Sequence, residues 1–223
     1  MRPLVIVRPE PGASATAAAA QRAGLSPVVM PLFRIEPVEW RAPGTSQFDG
    51  LLLTSANAVR FAGDELGRLS GLPAYCVGES TAAAARNAGL SVALVGDGGI
   101  DALLELLPRD LRLLHLCGTD RRQPEAQRQT ISAVPVYNAA ELPPPSSLSR
   151  LAGAVVAVHS PRSAARLGVV AGEAGLRRET IAVAAISGEA AAAAGAGWQS
   201  VSAAAEPTDS ALLALASSLC NKR

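Results

Sequence analysis

The chain has 223 residues, enough for one large or two small domains; 49% are hydrophobic but only 3% aromatic, so Ala, Leu and Val must pack the cores in thin α/β layers. The formal net charge of +1 gives no field for steering a polyanion and argues against nucleic acid as a partner, leaving any anionic ligand to be held by local donors. The opening MRPLVIVRPEPG lacks an apolar signal-peptide core and no apolar run reaches the roughly 18 residues of a membrane span, so a soluble, cytoplasmic protein is expected.

Apolar runs closed by Gly, Ser, Thr or Pro and followed by Ala-rich stretches recur along the chain. LVIV (4–7) stops at Arg8-Pro9, and PVVMPL (27–32) runs into PLFRIEPVEWRAP (31–43), whose prolines exclude a central strand throughout. GLLLT (50–54) opens onto Ser55, Ala56 and Asn57; AYCV (74–77) onto Gly78, Glu79, Ser80 and Thr81; VALV (92–95) onto GDGG (96–99). LLHL (113–116) leads to Cys117, Gly118, Thr119, Asp120, Arg121 and Arg122, and AVPVY (133–137) closes on Tyr137 before the Pro triplet of YNAAELPPPSS (137–147). AVVAV (154–158) gives onto His159, Ser160, Pro161 and Arg162, IAVAAI (181–186) onto Ser187, Gly188 and Glu189, and SVSA (200–203) comes last. Continuous apolarity marks strands covered on both faces, and their alternation with helices implies parallel βαβ units. Doubly wound sheets of about five strands each are expected.

The chain also repeats itself. LLLTSANAVRF (51–61) is echoed by VAVHSPRSAARL (156–167), YCVGESTAAAA (75–85) by AAISGEAAAAA (184–194), and IDALLELL (100–107) by SALLALAS (210–217), at a spacing of roughly 105 to 109 positions. The repeat alone divides the chain into 1–110 and 111–223.

Loops leaving the carboxyl ends of parallel strands form the binding crevice of such sheets, which makes candidates of the residues that follow each run. Ser55 with Ala56 and Asn57, Gly78 with Thr81, Gly118, Ser160 with Pro161, and Ser187 are all suited to starting helices. As caps each is worth about 1 kcal/mol. Converging, such helix starts would also offer N–H groups and positive dipole ends to carboxylates. Arg8 and Arg121 stand at the first loop positions, where a guanidinium can grip a carboxylate through two nitrogens; Arg60 and Arg166 simply follow helical spacing. Tyr137 either caps the edge of the core or gives a proton to a leaving hydroxyl. His115 and His159 read as packing residues, and Cys76, Cys117 and Cys220 as buried free thiols. No residue grouping has metal spacing, GDGG lacks the pattern of a dinucleotide or phosphate loop, and no nucleophile elbow is present, so the metal, dinucleotide and triad readings are weak.

Taken together in order, VRPEPGA, TSANAV (54–59), VGESTA (77–82), CGTDRR (117–122), PVY (135–137), HSPRSA (159–164), AGAGW (194–198) and EPTDSALLALA (206–216) resemble the bacterial uroporphyrinogen-III synthase family. The resemblance implies a cofactor-independent, cyclising hydro-lyase of tetrapyrrole and haem biosynthesis. Its substrate would be linear hydroxymethylbilane, closed to uroporphyrinogen III with inversion of ring D and loss of water. It further implies two flavodoxin-like α/β lobes joined by a two-stranded β-ladder hinge, with the active site in the interdomain cleft. The lobes would be 1–33 plus 138–223, and 37–134, with connectors near 31–43 and 134–147; a monomer is expected. The family's conserved tyrosine corresponds to Tyr137, its strand-end Thr to Thr81 and its strand-end Ser positions to Ser55 and Ser160. Two departures stand out: Ser187-Gly188-Glu189-Ala190 replaces the frequent Gly-Pro-x-Thr, and His159 replaces a frequent Thr. A two-lobed binding or sensor protein for small anions, without catalysis, is the alternative reading of the same residues, and a redox flavoprotein a more distant one.

Overall fold

The computed structural model describes residues 1–121, 123–124 and 128–222; Arg122, singled out above, lies outside the described residues. In chain order the strands are β1 (Leu4–Ile6), β2 (Pro27–Val29), β3 (Phe33–Pro37), β4 (Gly50–Leu53), β5 (Ala74–Val77), β6 (Val92–Gly96), β7 (Arg112–Gly118), β8 (Thr130–Glu141), β9 (Val155–Val158), β10 (Ala182–Ala185) and β11 (Ser200–Ala203). The α-helices are α1 (Gly12–Arg22), α2 (Ala56–Phe61), α3 (Glu79–Asn87), α4 (Gly99–Glu105), α5 (Pro161–Glu173), α6 (Gly188–Ala193) and α7 (Asp209–Asn221). None is long and apolar enough among the described residues to cross a membrane.

Contacts divide the chain into two units, Met1–Arg34 with Glu141–Arg223, and Ile35–Ala140. The first is built on a parallel sheet of order β11-β10-β9-β1-β2, and the six-stranded sheet of the second runs β3-β8-β7-β4-β5-β6. Setting edge strand β3 aside, the two orders are the same doubly wound pattern, 2-1-3-4-5, when β1 or β7 is counted as the first strand. Each sheet therefore combines the leading pair of strands from one copy of the repeat with the trailing three from the other. A division at residue 110 would cut through this exchange.

Side chains alternate across each strand, and both faces are covered. In the six-stranded sheet Leu51, Leu53, Leu114 and Leu116 pack with Ala58, Ala82 and Ala85 of α2 and α3. From the same strands Leu52 and Leu113 point the other way, onto Ile100, Leu103 and Leu104 of α4. In the five-stranded sheet Leu4, Ile6, Val155, Ala157, Ala182 and Ala184 pack with Ala13 and Ala20 of α1 and with Leu212, Leu213 and Ala216 of α7. Two-sided burial is why the strands read as unbroken apolar runs.

Helix ends follow from local chemistry. Ser55, Ser160, Ser187 and Thr208 cap α2, α5, α6 and α7, each accepting a hydrogen bond from a first-turn N–H. Three helices stop at the same tripeptide, Ala-Gly-Leu at 23–25, 88–90 and 174–176. The glycines take φ of 78°, 80° and 62°, and the following Leu N–H returns to the carbonyl of Ala20, Ala85 or Ala171. This is a left-handed glycine stop sealed by an apolar residue.

The start and end of the first unit are tied by charge. At the end of β1, Arg8 Nη1 donates to both carboxylate oxygens of Asp209 at 3.1 and 3.0 Å and to Thr16 Oγ1 at 3.1 Å, while Thr16 Oγ1 donates to Asp209 Oδ2 at 2.8 Å. Asp209 opens α7, so the same carboxylate faces the helix's positive end. His159 Nε2 lies 3.5 Å from Asp209 Oδ1, close enough for attraction but at the outer limit of a hydrogen bond. Burial alone would raise the Asp209 carboxyl, but His159, Thr16 and Arg8 outweigh it and hold the pKa at about 2.

Truncating Leu114 to Ala at the centre of the six-stranded sheet should cost about 2–5 kcal/mol in denaturant melts, because the void has rigid neighbours on both sides. A carboxyl depressed in the folded state stabilises above its unfolded pKa and loses that contribution as the pH falls. The melting temperature should therefore drop between pH 3.8 and about 2, and Asp209→Asn should flatten part of that slope. The remainder belongs in part to Asp49, which its pairing with Arg112 also lowers to about 2.

Candidate functional site

At the carboxyl end of the six-stranded sheet, the register between β7 and β8 slips by one residue. Cys117 pairs with Pro135 but Gly118 pairs with Tyr137, which leaves Val136 as the extra residue of a bulge. Val136 is fully buried. The slip sets Tyr137 against the one position on β7 that has no side chain: a Cβ on Gly118 would lie 2.9 Å from ring atoms Cε2 and Cζ and 3.1 Å from the phenol oxygen. Beyond the bulge, Thr119 N–H donates to the Tyr137 carbonyl at 3.0 Å and Thr119 Oγ1 to Asn138 Oδ1 at 2.7 Å. Tyr137 is thus held within a strand that continues to Glu141. The sequence reading ended that strand at Tyr137; hydrogen bonding beyond it carries the extended chain on until the Pro triplet.

A pocket of about 380 Å³ opens at this edge, lined by Thr54, Ser55, Val77, Gly98, Gly99, Ile100, Asp101, Cys117, Gly118, Asp120, Arg121 and Tyr137. Four strand ends supply it: those of β4, β5, β6 and β7, with Tyr137 reaching in from β8. Ser55 caps α2, accepting the Asn57 N–H at 3.2 Å, and its hydroxyl is the neighbour that favours the Tyr137 phenolate. Burial raises the phenol pKa above its ordinary value of 10.0 and the nearby Ser55 hydroxyl only partly opposes it, so Tyr137 is a proton donor at neutral pH. Burial likewise raises the Cys117 thiol, against the charge of Arg121, and keeps it protonated. The wall therefore offers hydroxyl donors, one guanidinium and two carboxylates. Among the described residues no group of three or more His, Cys, Asp or Glu side chains could hold a metal ion.

Of the sequence candidates, Ser55, Gly118, Arg121 and Tyr137 meet in this pocket, and Ala56 and Asn57 form the first turn of α2 beside it. Gly78 caps α3 at φ 77°, and Thr81 is 2% exposed inside that helix's first turn, so its side chain is held in the helix-to-sheet layer. Ser160, Pro161 and Ser187 start α5 and α6 in the other unit. Arg8 is there too, its guanidinium engaged by Asp209. Sequence reasoning passed over Gly98, Gly99, Ile100 and Asp101. GDGG was tested only as a phosphate fingerprint, although its place after VALV already put it at a strand end.

The family model described as uroporphyrinogen-III synthase HemD matches residues 14–214. A curated relative, uroporphyrinogen-III synthase of Chlorobaculum parvum, is 32% identical over 101 residues. That match takes in 41% of this chain and 41% of the relative, less than half the length of either. Two solved structures share the fold. Uroporphyrinogen-III synthetase from Helicobacter pylori superposes with a TM-score of 0.67 at 19% identity, over 98% of this chain and 100% of that one. A mutant uroporphyrinogen III synthase from Thermus thermophilus gives 0.56 at 21% identity, over 99% and 100%.

Gly118→Ala should push the Tyr137 ring off β7 toward solvent while leaving the strands paired. Ultraviolet titration of the tyrosines should then show the raised phenol moving back toward the ordinary value, with a melting temperature close to that of the parent. An unchanged titration would mean that the ring keeps its seat despite the methyl.

Proposed function

Because the chain belongs to the uroporphyrinogen-III synthase family, whose model matches residues 14–214, we propose that it closes hydroxymethylbilane to uroporphyrinogen III with release of one water. The local observation that supports this reading is a protonated, half-buried phenol in a pocket that also carries hydroxyls and carboxylates. Departure of the substrate hydroxyl needs a proton, and Tyr137 is the donor. The C–O bond breaks, the hydroxyl leaves as water, and a cationic azafulvene and a phenolate remain. Asp101 and Asp120 give the wall negative potential where that cation forms. Attack by the substituted carbon of the last pyrrole gives the spiro intermediate, and migration then inverts that ring. Loss of a ring proton restores aromaticity and supplies the proton that returns Tyr137 to its starting state, so the cycle balances with water as the only by-product.

Positioning carries as much of the work as proton transfer. Hydroxymethylbilane closes unaided to the uninverted isomer, and the enzyme must hold the chain so that the substituted carbon is the one attacked. Strand-end hydroxyls and helix starts are suited to the substrate's carboxylates because the sheet edge fixes them before substrate arrives, and Arg121 adds a guanidinium to the same wall.

Supplied with hydroxymethylbilane, the protein should yield isomer III well above the enzyme-free blank when oxidised products are separated; a mixture no different from the blank would falsify the assignment. Tyr137→Phe should lower kcat on the order of 100-fold, the range typical of a positioned general acid. Since the phenol pKa is raised, the donor should stay protonated through neutral pH, and parent activity should fail on this account only as the pH climbs past 10.0.

A further inference from the structure

Behind the pocket wall lies a polar group that this reaction scheme leaves unused. On β4 and β7 the side chains facing α4 run, toward the carboxyl end, from Leu52 and Leu113 through His115 to Thr54 and Cys117. His115 pairs in register with Leu52 and Leu113 with Gly50. The first are core and the last line the pocket. His115 sits between them at 2% exposure, and its Nε2 is 3.0 Å from Thr54 Oγ1. Burial, with the charge of Arg121 as the smaller cause, pushes the imidazole pKa down to about 4, so the ring is neutral at physiological pH. A Leu here would continue the apolar face without the cost of burying a polar ring. What the imidazole adds is control over one hydroxyl.

We propose that His115 is a positioning residue for the substrate: its Nε2–H donates to Thr54 Oγ1, which turns the Thr54 hydroxyl proton into the pocket as a fixed donor to a substrate carboxylate. The inference rests on the synthase reading for its ligand, but the hydrogen bond itself does not. A threonine hydroxyl hydrogen-bonded only to solvent rotates freely and serves equally as donor or acceptor. With Nε2–H occupying an oxygen lone pair, the proton is left pointing away from the imidazole, and Thr54 lines the pocket. A neutral ring achieves this without bringing charge under the pocket, where a cation would oppose the azafulvene.

The test joins kinetics of isomer III formation with nitrogen NMR of the imidazole. Thr54→Val and His115→Phe should each raise KM about tenfold, the scale of one hydrogen bond to a charged group, with kcat within about twofold of the parent. The double variant should have the KM of Thr54→Val alone, because His115 acts only through that hydroxyl. His115→Gln, which keeps an N–H donor at comparable reach, should recover most of the affinity, a rescue that simple cavity repair would not give. In the unliganded protein the ring should be neutral with its proton on Nε2. A parental KM in His115→Phe, multiplying effects in the double variant, or a proton on Nδ1 would each overturn the proposal. Should His115→Phe fail to fold, the Gln variant, Thr54→Val and the tautomer still decide it. If the parent itself makes no isomer III, the synthase reading fails, and the tautomer alone then decides the His115–Thr54 hydrogen bond.

Discussion

Parallel strand pairing is the constraint from which the rest of the molecule follows. Strands that run the same way bring all their carboxyl ends to one edge of the sheet, so every loop that leaves a strand for a helix starts from that edge. In the unit spanning Ile35–Ala140, this gathers Thr54, Val77, Gly98 and Cys117 from positions up to 63 residues apart into one pocket wall. Polar residues can cluster there because the edge is where the apolar layers stop. Three residues back, Leu51 and Leu114 have no access to water at all. The pocket is thus a boundary between a sealed core and capped helix starts. Its chemistry comes from which polar residue each strand ends on.

Pairing also explains why one bulge has such reach. β7 and β8 are neighbours in a rigid parallel ladder, and inserting Val136 changes which side chain of β8 meets Gly118. Had the ladder stayed in register, Val136 would face Gly118 and the phenol would sit elsewhere. Glycine at 118, Ser55 at the end of β4 and the slip in β8 are three separate local features. They act on one ring, since the glycine makes room for it, the bulge delivers it and the serine lines the same pocket.

Much of this was legible in the sequence, for physical reasons that can be named. Buried strands write themselves as apolar runs, and Ser55, Ser160 and Ser187 could be read as helix starts because a cap needs a short side-chain acceptor at a fixed place. The exchange of strands between repeats was not legible in this way: the echo alone divides the chain near residue 110, and only the family resemblance pointed to the exchanged arrangement. What stayed hidden depends on distance and register. Arg8 looked available for a ligand because its partner, Asp209, is 201 residues away. His115 looked like a packing residue because Thr54 stands on another strand, and a one-residue slip between β7 and β8 leaves no local signature. Composition and periodicity report which face a residue occupies; they do not report its opposite number.

The two copies of the repeat also divide their polar chemistry differently, and the helix starts show how. In the first copy the cap of α3 is Gly78, which has no side chain to offer, and the hydroxyl is three residues on, at Thr81. In the second the cap of α6 is Ser187, whose oxygen accepts the N–H of Ala190 at 3.2 Å, and the position matching Thr81 is that alanine. Thr81 and Ala190 are equally buried, at 2% and 0% exposure, so neither side chain can reach solvent. The hydroxyl has moved from the third residue of one helix to the cap of the other. With alanine at 190 in place of threonine, the start of α6 is still capped, by Ser187.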